Sequence, residues 1–133
     1  MKESITILHH LDLKTAEVRF RSDGIVNLHI KSNQTLTGED TKAMVAYIGK
    51  VGNGQKLLLL ITTGEYSLAD KDAREFGASA AGNEFTLAAS IVVKSLAQKL
   101  IGNAYIKVNK PIAPNALFTN EQKAIEWLKK FKN

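Results

Sequence analysis

The chain has 133 residues, 44% hydrophobic and 23% charged, with a formal net charge of +5, which is enough for one hydrophobic core and too little for two. It has no cysteine, which excludes disulfides, thiol chemistry and cysteine-held zinc and fits a reducing cytoplasm. Its longest strongly apolar run, Leu57 to Ile61, falls far short of a bilayer span, and no apolar stretch behind Met1-Lys2-Glu3-Ser4 marks a secretory signal.

Ile5 to Leu8 favours β structure and predicts a short first strand. Ala16 to Arg21 and Ile25 to Ile30 then alternate apolar and polar residues around Ser22-Asp23-Gly24, the signature of a β-hairpin. Thr37-Gly38-Glu39-Asp40 has capping-box spacing, and Met44, Ile48 and Val51 behind it share one helical face, with Val45 and Tyr47 at its borders. Gly52-Asn53-Gly54 ends that helix. Leu57 to Ile61 is apolar on both sides of the pleat, as a central strand covered on both faces would be. A second helix starts near Asp70 and buries Ala73, Phe76, Gly77 and Ala80. Thr86 to Val93 supplies another buried strand, and Ser95 caps a third helix containing Leu96, Leu100 and Ile101. Pro111 and Pro114 break the chain before a short strand at Leu117. Thr119 to Gln122 caps a last helix with Ala124, Ile125, Trp127 and Leu128 on its apolar face. The fold class is therefore α/β: one domain over residues 1–133, with an N-terminal hairpin and about four helices alternating with strands. Helical crossovers favour parallel neighbours, so the sheet is expected to be mixed.

Charge is unevenly placed. Residues 1–93 carry a net −1, whereas residues 94–133 carry eight lysines against Glu121 and Glu126. A basic end can attract nucleic acid or anionic membrane. These residues are all lysines, without the arginine fork of phosphate and base recognition or interleaved aromatics. The reading is a solvated face, with no nucleic-acid partner.

No motif carries catalysis. Gly52-Asn53-Gly54 follows a helix and precedes a strand, the reverse of a phosphate loop. Ser79 lies among small residues at a helix end, without the strand-to-helix elbow a nucleophile needs. His9 and His10 are adjacent and point to opposite sides of a strand, and His29 stands apart. No metal site and no cofactor are expected. The segment from Thr62 and Thr63 through Tyr66 and Ser67 to Asp70 follows the most buried strand and opens a helix. In an open α/β sheet, sites collect at such strand ends. Lys94 and Ser95 end the next strand and would lie beside it.

The order of Gly102-Asn103-Ala104-Tyr105, Asn109-Lys110-Pro111, Ala116-Leu117-Phe118 and Thr119-Asn120-Glu121-Gln122 through Trp127-Leu128 resembles the carboxyl end of small bacterial STAS-like proteins related to anti-sigma-factor antagonists. Asp23 to Val26, Thr37 to Val51 and Asp70 to Phe76 extend the similarity over roughly residues 14–131. The resemblance implies a STAS-like mixed sheet and a non-enzymatic, cytoplasmic regulatory role through an unidentified protein partner or a second copy of the chain. In related antagonists a partner kinase phosphorylates a serine at the start of the second helix, adding charge to a packed interface. Here Asp70 stands at that start, and Ser67 is the nearby serine. The expected interaction surface is Tyr66, Ser67 and Asp70. The alternative is a carrier or sensor of a nucleotide or lipid-like anion, with contacts from Thr62, Thr63, Lys94 and Ser95. CRAL-TRIO-like relatives of the fold make that plausible.

Overall fold

The computed structural model describes residues 4–132. Strands β1 (Ile7–Asp12), β2 (Ala16–Arg21) and β3 (Ile25–Ile30) form an antiparallel meander. The first strand lies two residues beyond the expected start, because Leu11 and Asp12 still pair with Val18 and Glu17 across a tight turn. At the second turn Gly24 adopts φ +86°, and Asp23 receives a two-point bond from the Arg21 guanidinium at 3.1 and 2.7 Å. Asp23 Oδ1 also accepts the Ile25 amide at 3.2 Å, so one carboxylate fixes the hairpin corner.

Next come β4 (Thr35–Leu36), α1 (Gly38–Val51), β5 (Leu57–Thr63), β6 (Leu68–Ala69), α2 (Lys71–Ala78), β7 (Thr86–Val92), α3 (Leu96–Ala104), β8 (Asn115–Phe118) and α4 (Glu121–Lys129). The main sheet runs β1-β2-β3-β5-β7-β8, with β3, β5, β7 and β8 mutually parallel. Its order and mixed sense follow from a hairpin start and helical crossovers. Strands β4 and β6 add a two-stranded parallel ribbon that binds the chain segments just ahead of α1 and α2.

The sheet is packed on both faces. On one side Val18, Val26, Leu28, Leu59 and Ala89 meet Met44 and Ile48 of α1 and Ala73 of α2. On the other, Ile25, Leu58, Leu60, Ala88 and Val92 meet Ala124, Ile125 and Leu128 of α4. The Leu57-to-Ile61 run needs apolar groups at every position because β5 lies between these two layers. Trp127 joins Phe118 and Phe131 at ring-centroid distances of 6.0 and 4.8 Å along the α4 layer.

Four details differ from the sequence-based expectation. Thr37 caps α1 through the Asp40 amide, but the Asp40 carboxylate does not return to Thr37. It accepts from the Thr15 hydroxyl at 2.5 Å, so a distant strand end captures the second half of the box. Helix α2 stops at Ala78, where the Ser79 hydroxyl donates to Phe76 O at 2.6 Å. Its buried residues are Ala73 and Ala78, with Phe76 and Gly77 half-buried and Ala80 exposed outside the helix. Asn120, rather than Thr119, caps α4 by accepting the Lys123 amide. The largest difference is α3. It buries Gln98 and Gly102, while Leu96 and Leu100 are 73% and 61% exposed.

Candidate functional site

The segment after β5 is held by one buried amide. Gln98 of α3 is 5% exposed. Its Nε2 donates to Gly64 O at 2.9 Å and Ser67 O at 3.1 Å. Its Oε1 accepts the Lys94 amide at 2.8 Å and the Thr63 hydroxyl at 3.0 Å. A buried primary amide that satisfies both its ends in this way locks the β5–β6 loop to the start of α3. Gly64 approaches Ser32 so closely that a Cβ there would lie 2.4 Å from the Ser32 amide nitrogen. The loop has no room to slide on that side.

Ser67 lies beneath this clamp, 1% exposed, with its hydroxyl donating to Gly64 O at 2.8 Å. Tyr66 points the other way. It is 75% exposed and sits at φ +60°, a left-handed conformation that bulky residues seldom adopt. Asp70 caps α2, its Oδ1 accepting the Ala73 amide at 2.8 Å. A shallow hollow beside it runs between the starts of α1 and α2, bordered by Glu39, Asp72 and Glu75 with Lys42.

The strand-end residues divide between the two sheet faces. The Thr63 hydroxyl shares its one proton between Gln98 Oε1 and Val92 O, the latter at 2.8 Å, on the α3 side. Thr62 turns to the opposite face, where its hydroxyl meets His29 Nδ1 at 2.8 Å and the Asn27 amide at 3.1 Å. Lys94 is exposed, and Ser95 caps α3 by accepting the Gln98 amide at 3.1 Å. The pleat thus separates Thr62 from Thr63. On the Thr62 face, burial first, then the charges of Arg19 and Lys94, hold the His29 imidazolium pKa below its ordinary value.

Strand pairing also assembles His10, Asp12 and Glu17, whose ligand atoms lie within 4.8 Å of one another. Two cations already answer these carboxylates. Arg19 pairs with Glu17, and Lys31 Nζ lies 2.6 Å from Asp12. His10 and Asp12 are two residues apart on β1, and the β1–β2 register brings Glu17 beside them.

Between α1, α2, α3 and the sheet lies a cavity of about 140 Å³. Its walls are mainly apolar side chains such as Leu28, Leu59, Ile91 and Met44, and Arg74 of α2 and Tyr105 reach it as well. Tyr105 begins a π-helical turn, Tyr105–Asn109, that prolongs α3 until Lys110 reverses at φ +52°. Its hydroxyl lies against Gly77, 3.1 Å from where a Cβ would stand. Burial raises the Tyr105 phenol well above its ordinary pKa, so it remains a hydroxyl donor. Sequence reading gave no signal for Gln98, Arg74 or Tyr105 as a group, because three separate elements bring them here.

The family described as "Domain of unknown function (DUF7793)" matches residues 19–132. Among solved structures, the chain is similar to an uncharacterized protein of the DUF3478 family with a SpoIIAA-like fold from Shewanella loihica PV-4. The two are 16% identical, with a TM-score of 0.56 over 96% of this chain and 98% of that one. The architecture is accordingly SpoIIAA-like, the STAS-like arrangement that the sequence resembled. No curated protein matches the chain.

Proposed function

The chain belongs to the DUF7793 family, and from that premise we propose that it is a non-enzymatic, cytoplasmic partner-binding module of the regulatory STAS-like kind. Its recognition surface is the Tyr66 loop together with the outer face of α3. The observation that carries this reading is exposed apolar surface on an anchored frame. Tyr66, Leu96, Leu100 and Val108 are each more than 60% exposed. Leu96 and Leu100 are four residues apart and share a helical face. Apolar groups grouped in this way mark binding surfaces in soluble proteins. Lys94, Lys99, Lys107 and Lys110 flank the face, and no acidic residue occurs from 85 to 120. The complementary partner is therefore an acidic protein surface with an apolar centre.

Within this reading Ser67 and Asp70 play different parts. Ser67 is buried beneath Gln98, so it shapes the loop, and a kinase would require the loop to open first. Asp70 supplies a negative charge at the α2 start, where the anti-sigma-factor antagonists that the sequence resembles carry their modified serine. Affinity capture with wild-type protein and with a Tyr66→Ala, Leu100→Glu variant tests the surface. Partners specific to the wild type should be lost by the variant while its melting temperature stays within a few degrees. Undiminished recovery of every such partner would falsify the assignment.

A second reading, a small-ligand carrier or sensor, is favoured by the cavity beneath α3. The strand-end contacts from Thr62, Thr63, Lys94 and Ser95 support it less, because the Thr62 and Thr63 hydroxyls serve opposite faces of the sheet.

A further inference from the structure

We propose that the cavity between the sheet and α1 to α3 binds a small carboxylic acid with a ring-shaped or branched apolar body. This develops the carrier reading, replacing a nucleotide or lipid-like anion at the strand ends with a different ligand in a different place.

Size sets the first limit. At about 140 Å³, the space matches apolar protein cavities of roughly 150 Å³ that stay dry and accept benzene. A nucleotide or an extended fatty acid is larger than that volume and would enter it only in part. The space exists because small residues face it: Ala73 and Gly77 on α2, Ala89 on β7 and Gly102 on α3.

Polarity sets the second limit. Thr63, Ser67 and Gln98 also border the cavity, but they satisfy one another and nearby carbonyls. Two groups remain available. Arg74 donates through Nη1 to Ala69 O and has no carboxylate within ion-pair distance among the described residues. The Tyr105 hydroxyl has no hydrogen-bond partner among the described residues, although it lines the cavity. Arg74 and Gly77 are separated by three residues on α2, which places them on neighbouring turns of one face. Tyr105 presses its hydroxyl against Gly77, so both donors line the cavity from its α2 side, Arg74 toward Ala69 and Tyr105 toward Gly77. A guanidinium and a phenol in a low-dielectric recess together suit a carboxylate, through charge-assisted bonds. The apolar remainder of the ligand would lie against Leu28, Leu59, Ile91 and Met44.

The test is ligand-observed and methyl-detected NMR titration of the full chain with benzoate, phenylacetate and isovalerate. Toluene serves as a neutral probe, and ATP and palmitate as probes outside the class. The expected result is saturable shifts of Met44, Leu59 and Ile91 methyls with at least one carboxylate. Arg74→Gln should weaken that carboxylate at least tenfold and leave toluene unchanged, while Tyr105→Phe should weaken it severalfold. Equal carboxylate binding by wild type and Arg74→Gln, toluene binding alone, or no methyl response up to 10 mM (a concentration chosen on the order of weak-ligand affinities) would each overturn the proposal. Saturation by ATP or palmitate in place of the acids would overturn it too. Leu100→Glu should leave the titration unchanged, so failure of the partner surface and failure of the cavity are separately visible.

Discussion

Gln98 illustrates how one side chain can set the geometry of a loop and a helix together. Its amide links β5, the Tyr66 loop and the α3 start through five buried or half-buried bonds. Replacing it with leucine leaves several of those groups without partners, at a cost of about 3 kcal/mol from the penalty for unsatisfied buried groups. Urea unfolding of Gln98→Leu should show that loss, and a change below 1 kcal/mol (about the net value of a single ordinary bond) would mean the clamp is dispensable. Tyr66 presents the opposite case. Its left-handed backbone costs a non-glycine residue about 1–2 kcal/mol, and its exposed ring recovers little by burial. Tyr66→Gly should therefore be neutral or up to about 1 kcal/mol more stable, while weakening partner capture. A stability cost offered for a binding feature is expected at functional sites. Clear destabilisation would show instead that the ring supports the fold.

His29 adds a pH dependence. Its folded pKa lies below the unfolded reference of 6.5 because burial, Arg19 and Lys94 oppose the imidazolium. The unfolded chain then binds the proton more readily. This contribution is fully present above pH 6.5 and is lost as pH falls from there through the folded value. The stability difference between pH 7.5 and pH 5.5, measured by denaturant titration, should shrink in His29→Gln. An identical difference in the variant would remove His29 as its source.

At the scale of elements, α3 is the segment whose sequence and environment diverge most. Its leucines at 96 and 100 have the spacing of a core helix, yet the residues against the sheet are Gln98 and Gly102. Gly102 accepts the close approach of Leu117, whose Cδ1 would lie 2.6 Å from an added Cβ. The helix is thus docked through a hydrogen-bonded amide and a glycine, with little apolar burial. Native-state hydrogen exchange should find α3 opening at a lower free energy than β5, which is packed on both faces. Equal protection would mean that α3 shares the global unfolding unit. The α2-to-β7 turn behaves differently. A Cβ on Gly82 would meet Phe76 O at 2.0 Å, backbone that cannot swing aside. Gly82→Ala should cost on the order of 1–3 kcal/mol, as overpacked sites do, readable as a lowered urea midpoint with an unchanged slope.

Across the whole molecule, apolar periodicity and turn chemistry were legible in the sequence. The hairpin at Asp23-Gly24, the doubly covered β5, and the caps at Thr37, Asp70 and Ser95 all stand where local spacing put them, because each depends on neighbours within a few residues. The mixed α/β sheet followed from the order of those elements, and its STAS-like arrangement from the family resemblance of residues 14–131. The position of Tyr66, Ser67 and Asp70 between a strand end and a helix start was legible, and the surface proposed there rests on the rule that sites collect at such places. Its internal division was not legible: an exposed Tyr66 and a buried Ser67 differ through Gln98, thirty-one residues beyond Ser67. Local physics, in backbone conformation, capping and hydrophobic period, was therefore determined by the sequence by itself. Only the tertiary structure decided which leucines of α3 face solvent, that Arg74 and Tyr105 line one cavity, and which partners Thr62 and Thr63 meet on their opposite faces. Those outcomes depend on how distant elements pack, and packing couples residues that no spacing along the chain connects.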